Sequence, residues 1–360
     1  MCFVRTLRRR STAAILCAVA VAALAGCGRP AEQAPADQPA TAAPTGYPLT
    51  LDNCGHALTF QRPPQRVVLL NGASVAEAES FVTLGLADRI VASSQHFGVS
   101  DQSGMAEAVN ALPSAGLRRD DSAEFSREQI LALHPDLVIS TWAGGFDDRT
   151  GPIGRDALNR AGIPAFVTPS NCALGDPNAS EAARRDLARQ SVSSSDELLL
   201  TLGRIFDVQQ RAADYVNAQR ARIAAVTARV ADRPRPTVLL VYPGMSAMNS
   251  NGLPAVFGGG IYDDIIAKAG GRNAFAGKTS DELAQINAEA LASAPVDLVV
   301  IGRYRPDEDA DRMASELFAR FPAWPAARTH RYLTLSDSPY LGPLNATAVE
   351  KIADALAHPQ

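Results

Sequence analysis

The chain alternates short, unbroken apolar runs with amphipathic stretches, the pattern of buried strands separated by helices. Residues 48–60 alternate apolar and polar positions around Asn53-Cys54-Gly55 and read as a small hairpin. Pro63-Pro64 ends it, and Arg66–Leu70 follows as a continuous apolar strand. The spacing then predicts a helix over 73–84 and a strand over Ile90–Ser93. A helix opening at Ser126, a buried strand at Leu137–Ser140, a helix near 154–161 and a strand at Ala165–Thr168 continue the series. Such β-α-β-α alternation predicts an α/β lobe around a parallel sheet.

Residues 195–231 contain no proline and a single glycine, Gly203, and their apolar period is helical. Asp207 is expected to cap a helix over 208–230, about 35 Å long at 1.5 Å per residue. Pro234 and Pro236 end that rod, and the strand Val238–Tyr242 opens a second α/β lobe. The two lobes share a local pattern. In the first, Ser126-Arg127-Glu128 opens a helix that leads to Pro135-Asp136-Leu137-Val138-Ile139. In the second, Asn287-Ala288-Glu289 leads to Pro295-Val296-Asp297-Leu298-Val299. Each glutamate suits a helix N-terminus electrostatically, and their recurrence suggests two related lobes facing one cleft.

The first residues change the picture. Arg5, Arg8, Arg9 and Arg10 precede an apolar run from Ala13 to Ala25, and Leu24-Ala25-Gly26-Cys27 closes it. This is the layout of a cleaved export signal over 1–26, and the run is too short to span a bilayer comfortably. Leu-Ala-Gly-Cys resembles the bacterial lipobox, which implies diacylation of Cys27 and an anchor on the outer face of a membrane. Residues 27–46, rich in Pro, Ala, Gln and Thr, read as a flexible tether. Without the signal, 30 basic residues face 38 acidic ones, a formal charge of −8, which gives no reason to expect nucleic-acid binding. Of five cysteines, Cys54 and Cys172 remain as an even pair in an oxidising compartment and are expected to form a disulfide, the competing reading being two free thiols.

Several motifs then point one way. Pro64-Gln65-Arg66-Val67-Val68, the run from Glu128 to Ile139, and Asp263-Asp264-Ile265-Ile266 with Ala269-Gly270-Gly271-Arg272-Asn273 occur in order. Together they resemble the class III substrate-binding proteins of ABC importers, which carry iron–siderophores, haem or vitamin B12, and the resemblance covers roughly residues 48–356. It implies two Rossmann-like lobes, 47–194 and 236–360, joined through 195–235 by one long α-helix. It also implies an ABC permease and ATPase as partners, a small metal chelate as ligand, a monomer, and no cofactor. The family docks on its permease through one exposed glutamate per lobe, positions that match Glu128 and Glu289.

Ligands of open α/β sheets bind beyond the carboxyl ends of the strands. In the first lobe that rule selects Asn71, His96, Phe97 and Trp142, the last before Gly144-Gly145. In the second it selects Tyr242, Met245, Phe257, Tyr262, Arg303, Tyr304, Arg305 and Tyr340. An aromatic set with a few arginines suits a bulky, planar or greasy ligand that carries negative charge. Each has a plainer alternative: Trp142 as a packing anchor, His96 as a polar wall, Arg303 and Arg305 as a solvated loop. Tyr304 or Tyr340 as a haem-iron ligand is a further alternative. Enzyme readings fail on their motifs. Gly244-Met245-Ser246-Ala247-Met248 lacks the second glycine of a nucleophile elbow, and no Gly-Lys-Ser/Thr follows Gly258-Gly259-Gly260. The expectation is therefore a solute receptor rather than an enzyme, with a lipid-anchored hydrolase on the same fold as the alternative.

Overall fold

The computed structural model describes residues 39–360 apart from 73, 97, 118–123, 249–251 and 358–360. The expected export signal, Cys27 and Phe97 lie outside the described residues. The tether was expected to extend to residue 46, but its last part is pinned to the body. Asn217 bonds both the amide (2.9 Å) and the carbonyl (3.2 Å) of Ala40, and the Thr45 hydroxyl donates to the Arg204 carbonyl at 3.0 Å.

Strands β1 (Leu49–Asn53) and β2 (His56–Phe60) form the hairpin. Cys54 and Gly55 take positive φ at its turn. The Asn53 amide group donates to the Val167 carbonyl at 2.7 Å and its oxygen accepts from the Val167 amide at 2.8 Å. A disulfide joins Cys54 to Cys172 beside that contact.

In the N-terminal lobe, β3 (Val67–Leu69), β4 (Ile90–Ser93), β5 (Leu137–Ser140) and β6 (Ala165–Val167) make an all-parallel sheet of order β4-β3-β5-β6. Every residue of β3, β5 and β6 is buried, which is why these runs carry no alternation. In the C-terminal lobe, β7 (Thr237–Tyr242), β8 (Ala255–Phe257), β9 (Arg272–Asn273), β10 (Leu298–Gly302) and β11 (Tyr332–Leu335) form the second sheet. Its core is parallel, but β8 runs antiparallel to β7, so this sheet is mixed.

The repeated Pro-Asp pattern has a structural cause. The Asp136 carboxylate accepts the Gln65 and Arg66 amides at 2.8 and 2.7 Å, and its own amide donates to the Arg66 carbonyl. Asp297 does the same at the start of β7, accepting the Thr237 amide at 2.8 Å and donating to the Thr237 carbonyl. In each lobe an aspartate thus satisfies the backbone where one strand begins beside the next.

The connecting helix spans Gln209–Val230. Asp207 is not its cap, contrary to expectation. Val208 occupies that position without a side-chain bond, and Asp207 sits at φ 58. The chain must reverse there from the preceding helix Val192–Ile205, and the left-handed residue makes the reversal. The two helices pack so closely that a Cβ on Gly203 would lie 2.6 Å from the Ala212 Cβ.

Each sheet has its own outer core, with Val68, Val138 and Phe146 in one lobe and Leu239, Val299 and Trp324 in the other. The inner faces share a single core. It runs from Val67, Leu69 and Phe81 through Leu198, Leu202, Val216 and Ile223 to Val238, Val300 and Val349. The lobes are therefore fused through their helices rather than merely tethered.

Candidate functional site

The order β4-β3-β5-β6 reverses direction at β3. The connections leaving β3 and β5 diverge to opposite sides, which opens a crevice at the carboxyl ends of those strands. A cavity of about 680 Å³ lies there. Asn71 and Gly72 after β3 and Trp142 after β5 line it, with Glu124, Pro152 and Leu174 completing the wall.

A fully buried carboxylate organises the floor. Glu77 lies in the first turn of the helix Ala76–Thr83 and accepts from Gln95 Nε2 (2.9 Å), Thr141 Oγ1 (2.7 Å) and Thr168 Oγ1. Gln95 Nε2 also donates to the Leu70 carbonyl at 3.1 Å. One carboxylate thus ties together the segments that follow all four strands. Burial pushes its pKa up, and the three donors pull against that shift.

Trp142 is seated on glycines. A Cβ at Gly144 or Gly175 would enter the indole ring, and one at Gly72 would enter the Thr141 side chain. Gly144 and Gly175 are therefore steric requirements of the ring's position, while a Cβ on Gly145 would enter the Ser140 side chain. On the opposite wall, Glu124 Oε2 accepts the Asn71 amide at 2.7 Å. Its Oε1 accepts the Ser94 hydroxyl at 2.9 Å and the Phe125 amide at 2.8 Å. Burial pushes the Glu124 carboxyl up, against these three bonds.

Of the residues selected from sequence, the structure brings Asn71 and Trp142 to this cavity. His96 is half-buried, with Nδ1 3.4 Å from the Ser94 carbonyl. The aromatic residues of the other lobe pack on one another instead. Tyr242 meets Phe257 edge-on at 5.0 Å, Phe257 meets Tyr262 at 5.1 Å, and Tyr262 stacks on Tyr340 at 5.8 Å. Tyr242 is buried and donates its hydroxyl to the Ser336 carbonyl, so it serves packing and is not a cavity wall. Met245 packs against the same core. The Tyr340 phenol is pushed up to about 12, chiefly by burial, and burial also pushes Tyr242 and Tyr262 well above the usual phenol value. None of these phenols is poised to become a phenolate.

Arg303, Tyr304 and Arg305 form a separate loop after β10. Glu308 Oε2 accepts the Tyr304 and Arg305 amides, and the Arg305 guanidinium lies 4.7 Å above the Tyr304 ring. The Tyr304 carbonyl accepts the Gly98 amide at 3.3 Å, a contact between lobes. This loop does not line the cavity. Among its described lining residues the charged group is Glu124, and the expected Arg303 and Arg305 are not among them. Strand-end reasoning missed Glu124 because it lies just before a helix rather than after a strand. Leu174 was also missed, although it follows β6 within reach of the same rule.

Glu128 and Glu289 are both exposed in the first turns of six-residue helices, Arg127–Ala132 and Ala288–Ser293. The Ser126 cap makes a full capping box, and the Asn287 cap accepts the Ala290 amide at 2.8 Å. The Glu128 carboxyl is held below its usual range, first by its own backbone amide and then by Ser126.

A family model described as "Periplasmic binding protein" matches residues 69–339. An ABC-type Fe3+-hydroxamate transport system from Saccharomonospora viridis is similar over 87% of this chain and 100% of its own, at 24% identity and a TM-score of 0.64. A periplasmic haem-binding protein from Pseudomonas aeruginosa is similar over 81% of this chain and 92% of its own, at 26% identity and a TM-score of 0.54. A periplasmic binding protein from Veillonella parvula is similar over 86% and 97%, at 18% identity and a TM-score of 0.64. No curated protein matches the sequence.

Proposed function

Since the chain belongs to the periplasmic binding protein family, we propose that it is an extracytoplasmic receptor of an ABC importer that takes up a metal-centred chelate. The observation that carries this reading is the 680 Å³ cavity at the β3/β5 switch point, with an indole as one wall. A preformed pocket of that size suits a ligand with a large flat or greasy surface. The cargo binds without chemistry, Cys27 carries the lipid that holds the receptor at the membrane, and Glu128 and Glu289 dock on the permease. Two such exposed acids contribute register and encounter rate more than affinity. The lobes comprise 47–194 and 236–360, with 195–235 connecting them.

A second reading is a haem receptor. The similarity to the Pseudomonas aeruginosa haem-binding protein and to another structure described as holding two haems supports it.

The test uses tryptophan fluorescence. The chain has two tryptophans, and Trp324 is fully buried in the C-terminal lobe with its Nε1 bonded to the Leu291 carbonyl at 2.8 Å. Quenching by a cavity ligand therefore reports Trp142. A panel of ferric siderophores, haem and cobalamin should yield at least one saturable quench that Trp142→Phe abolishes. A flat response to the whole panel, confirmed by calorimetry, would remove the receptor reading.

A further inference from the structure

The wall of the cavity carries a carboxylate, Glu124, that has no ion-pair partner among the described residues. Glu124 has three bonds, and all three donors are neutral: the Asn71 amide, the Ser94 hydroxyl and the Phe125 amide. A carboxylate offers about four acceptor places, so one remains on Oε2, the oxygen that takes only the Asn71 amide. Neutral donors steady an anion without cancelling its charge, and a desolvated charge gains from a cation brought into contact with it. Trp142 lines the same cavity, and an indole face also attracts a cation. Two independent groups on one cavity therefore favour positive charge.

That preference divides the candidate chelates by elementary charge balance. Three hydroxamates on Fe3+ cancel its charge, and a free amine on such a chelate makes it cationic. Three catecholates leave the complex strongly anionic, and haem carries two carboxylates. Resting on the receptor reading above, we infer that Glu124 is a specificity-determining residue that accepts an ammonium on the cargo, and that the preferred ligand is a ferric trishydroxamate bearing a free primary amine.

A purely structural role for Glu124, bridging the segments after β3 and β4, predicts something different: every ligand would be affected alike. The experiment therefore varies the ligand first. Binding of a linear ferric trishydroxamate with a terminal ammonium is compared by calorimetry with the same chelate after acetylation of the amine, using the wild-type protein. The ammonium form is expected to bind at least about tenfold more tightly, and Glu124→Gln is expected to bring the ratio towards one. Equal affinities for the two forms in the wild type, or a ratio unchanged in the variant, would overturn the inference.

Glu124→Gln places an amide group opposite the Asn71 N–H and is liable to unfold, so a second measurement needs no variant. Among the described residues, the groups bonded to Glu124 from the β3 and β4 segments and from its own are Asn71, Ser94 and Phe125, and none of them titrates. In the wild type the preference should fade on acidification through the raised pKa of Glu124, while the acetylated chelate binds with unchanged affinity. A preference that survives acidification overturns the assignment to Glu124. Tighter binding of a ferric tris-catecholate or of haem than of either hydroxamate overturns the ligand class and leaves the receptor reading standing. Failure of every chelate in the panel overturns both.

Discussion

Asp101 bonds three groups of the other lobe, and removing it gives a direct measure of how the lobes are held. The residue belongs to the segment after β4, yet its carboxylate is spent on the other lobe. Oδ2 accepts the Ser336 amide at 2.7 Å and the Ser338 hydroxyl at 2.6 Å, and Oδ1 accepts Lys351 Nζ at 2.7 Å. The Asp101 side chain is 5% exposed and that of Lys351 40%. Two neutral donors bonded to a buried charge contribute about 1.5–3 kcal/mol each. The half-exposed lysine keeps much of its hydration, so its share is under about 1 kcal/mol. Asp101→Ala should therefore lower stability by about 3–5 kcal/mol in urea unfolding, and widen the particle in solution scattering. Asp101→Asn keeps one oxygen for both serine groups as a neutral acceptor but loses the ion pair and turns its NH2 towards Lys351, so its loss should be about 1–2 kcal/mol. A midpoint unchanged in Asp101→Ala, or an equal loss in both variants, would refute the assignment of the contact to the serine donors.

Other consequences follow from neighbouring groups. Burial first, and then Asp337, Asp101 and Glu77, push the Glu79 carboxyl well above its usual value. A raised acid lends its stability in the neutral form. That contribution is complete below the unfolded value and is lost as pH rises through the folded one. Glu79→Gln should therefore flatten the fall of the urea midpoint as pH rises above the ordinary glutamate range, and a wild-type slope there would contradict this. Reduction of the Cys54–Cys172 bond, which closes 118 residues, should cost about 5 kcal/mol in the chain-entropy model, measured as the difference in unfolding free energy with and without reductant. Gly144→Ala forces a methyl into the Trp142 ring, and should cost about 1–3 kcal/mol and shift the emission of Trp142. Changing Glu128 and Glu289 together to alanine should abolish uptake and leave ligand affinity intact, as transport and calorimetry on the same variant would show.

The architecture was legible because it rests on periodicity. Buried strands such as Leu137–Ser140 and Ile90–Ser93 sit where their apolar runs begin and end. The long helix fell within one residue of its expected start, and the error was confined to Asp207, where a reversal between packed helices outweighed the capping preference of an aspartate. The site was only partly legible. Asn71 and Trp142 follow strands directly, so the strand-end rule reaches them. It equally selects Tyr242, which is buried in the shared core, and Phe257 and Tyr340, which lie half-buried against it. A rule about position along the chain cannot distinguish an aromatic ring facing a cavity from one facing a helix. Glu124 and Glu77 escaped for the opposite reason: both stand near helix starts, where an acid has an ordinary electrostatic explanation. Their partners, Asn71, Ser94, Thr141 and Thr168, come from distant parts of the chain and meet only in the fold.

The shared inner core bears on how the site works. Hinged lobes need few contacts across the joint, so that closure on a ligand is cheap. Here apolar packing runs unbroken from Leu69 through Leu202 and Val216 to Val300, and Asp101 adds a buried polar contact along the seam. Interiors packed in this way switch between discrete arrangements rather than deform smoothly. Large closure would break both the apolar packing and the Asp101 contact, so affinity must come from walls already in place. The cavity meets that requirement within one lobe. Glu77 fixes the segments after β3, β4, β5 and β6, glycines seat Trp142, and Glu124 spans the segments after β3 and β4. With the ordering cost met during folding, the ligand's contacts translate more fully into affinity.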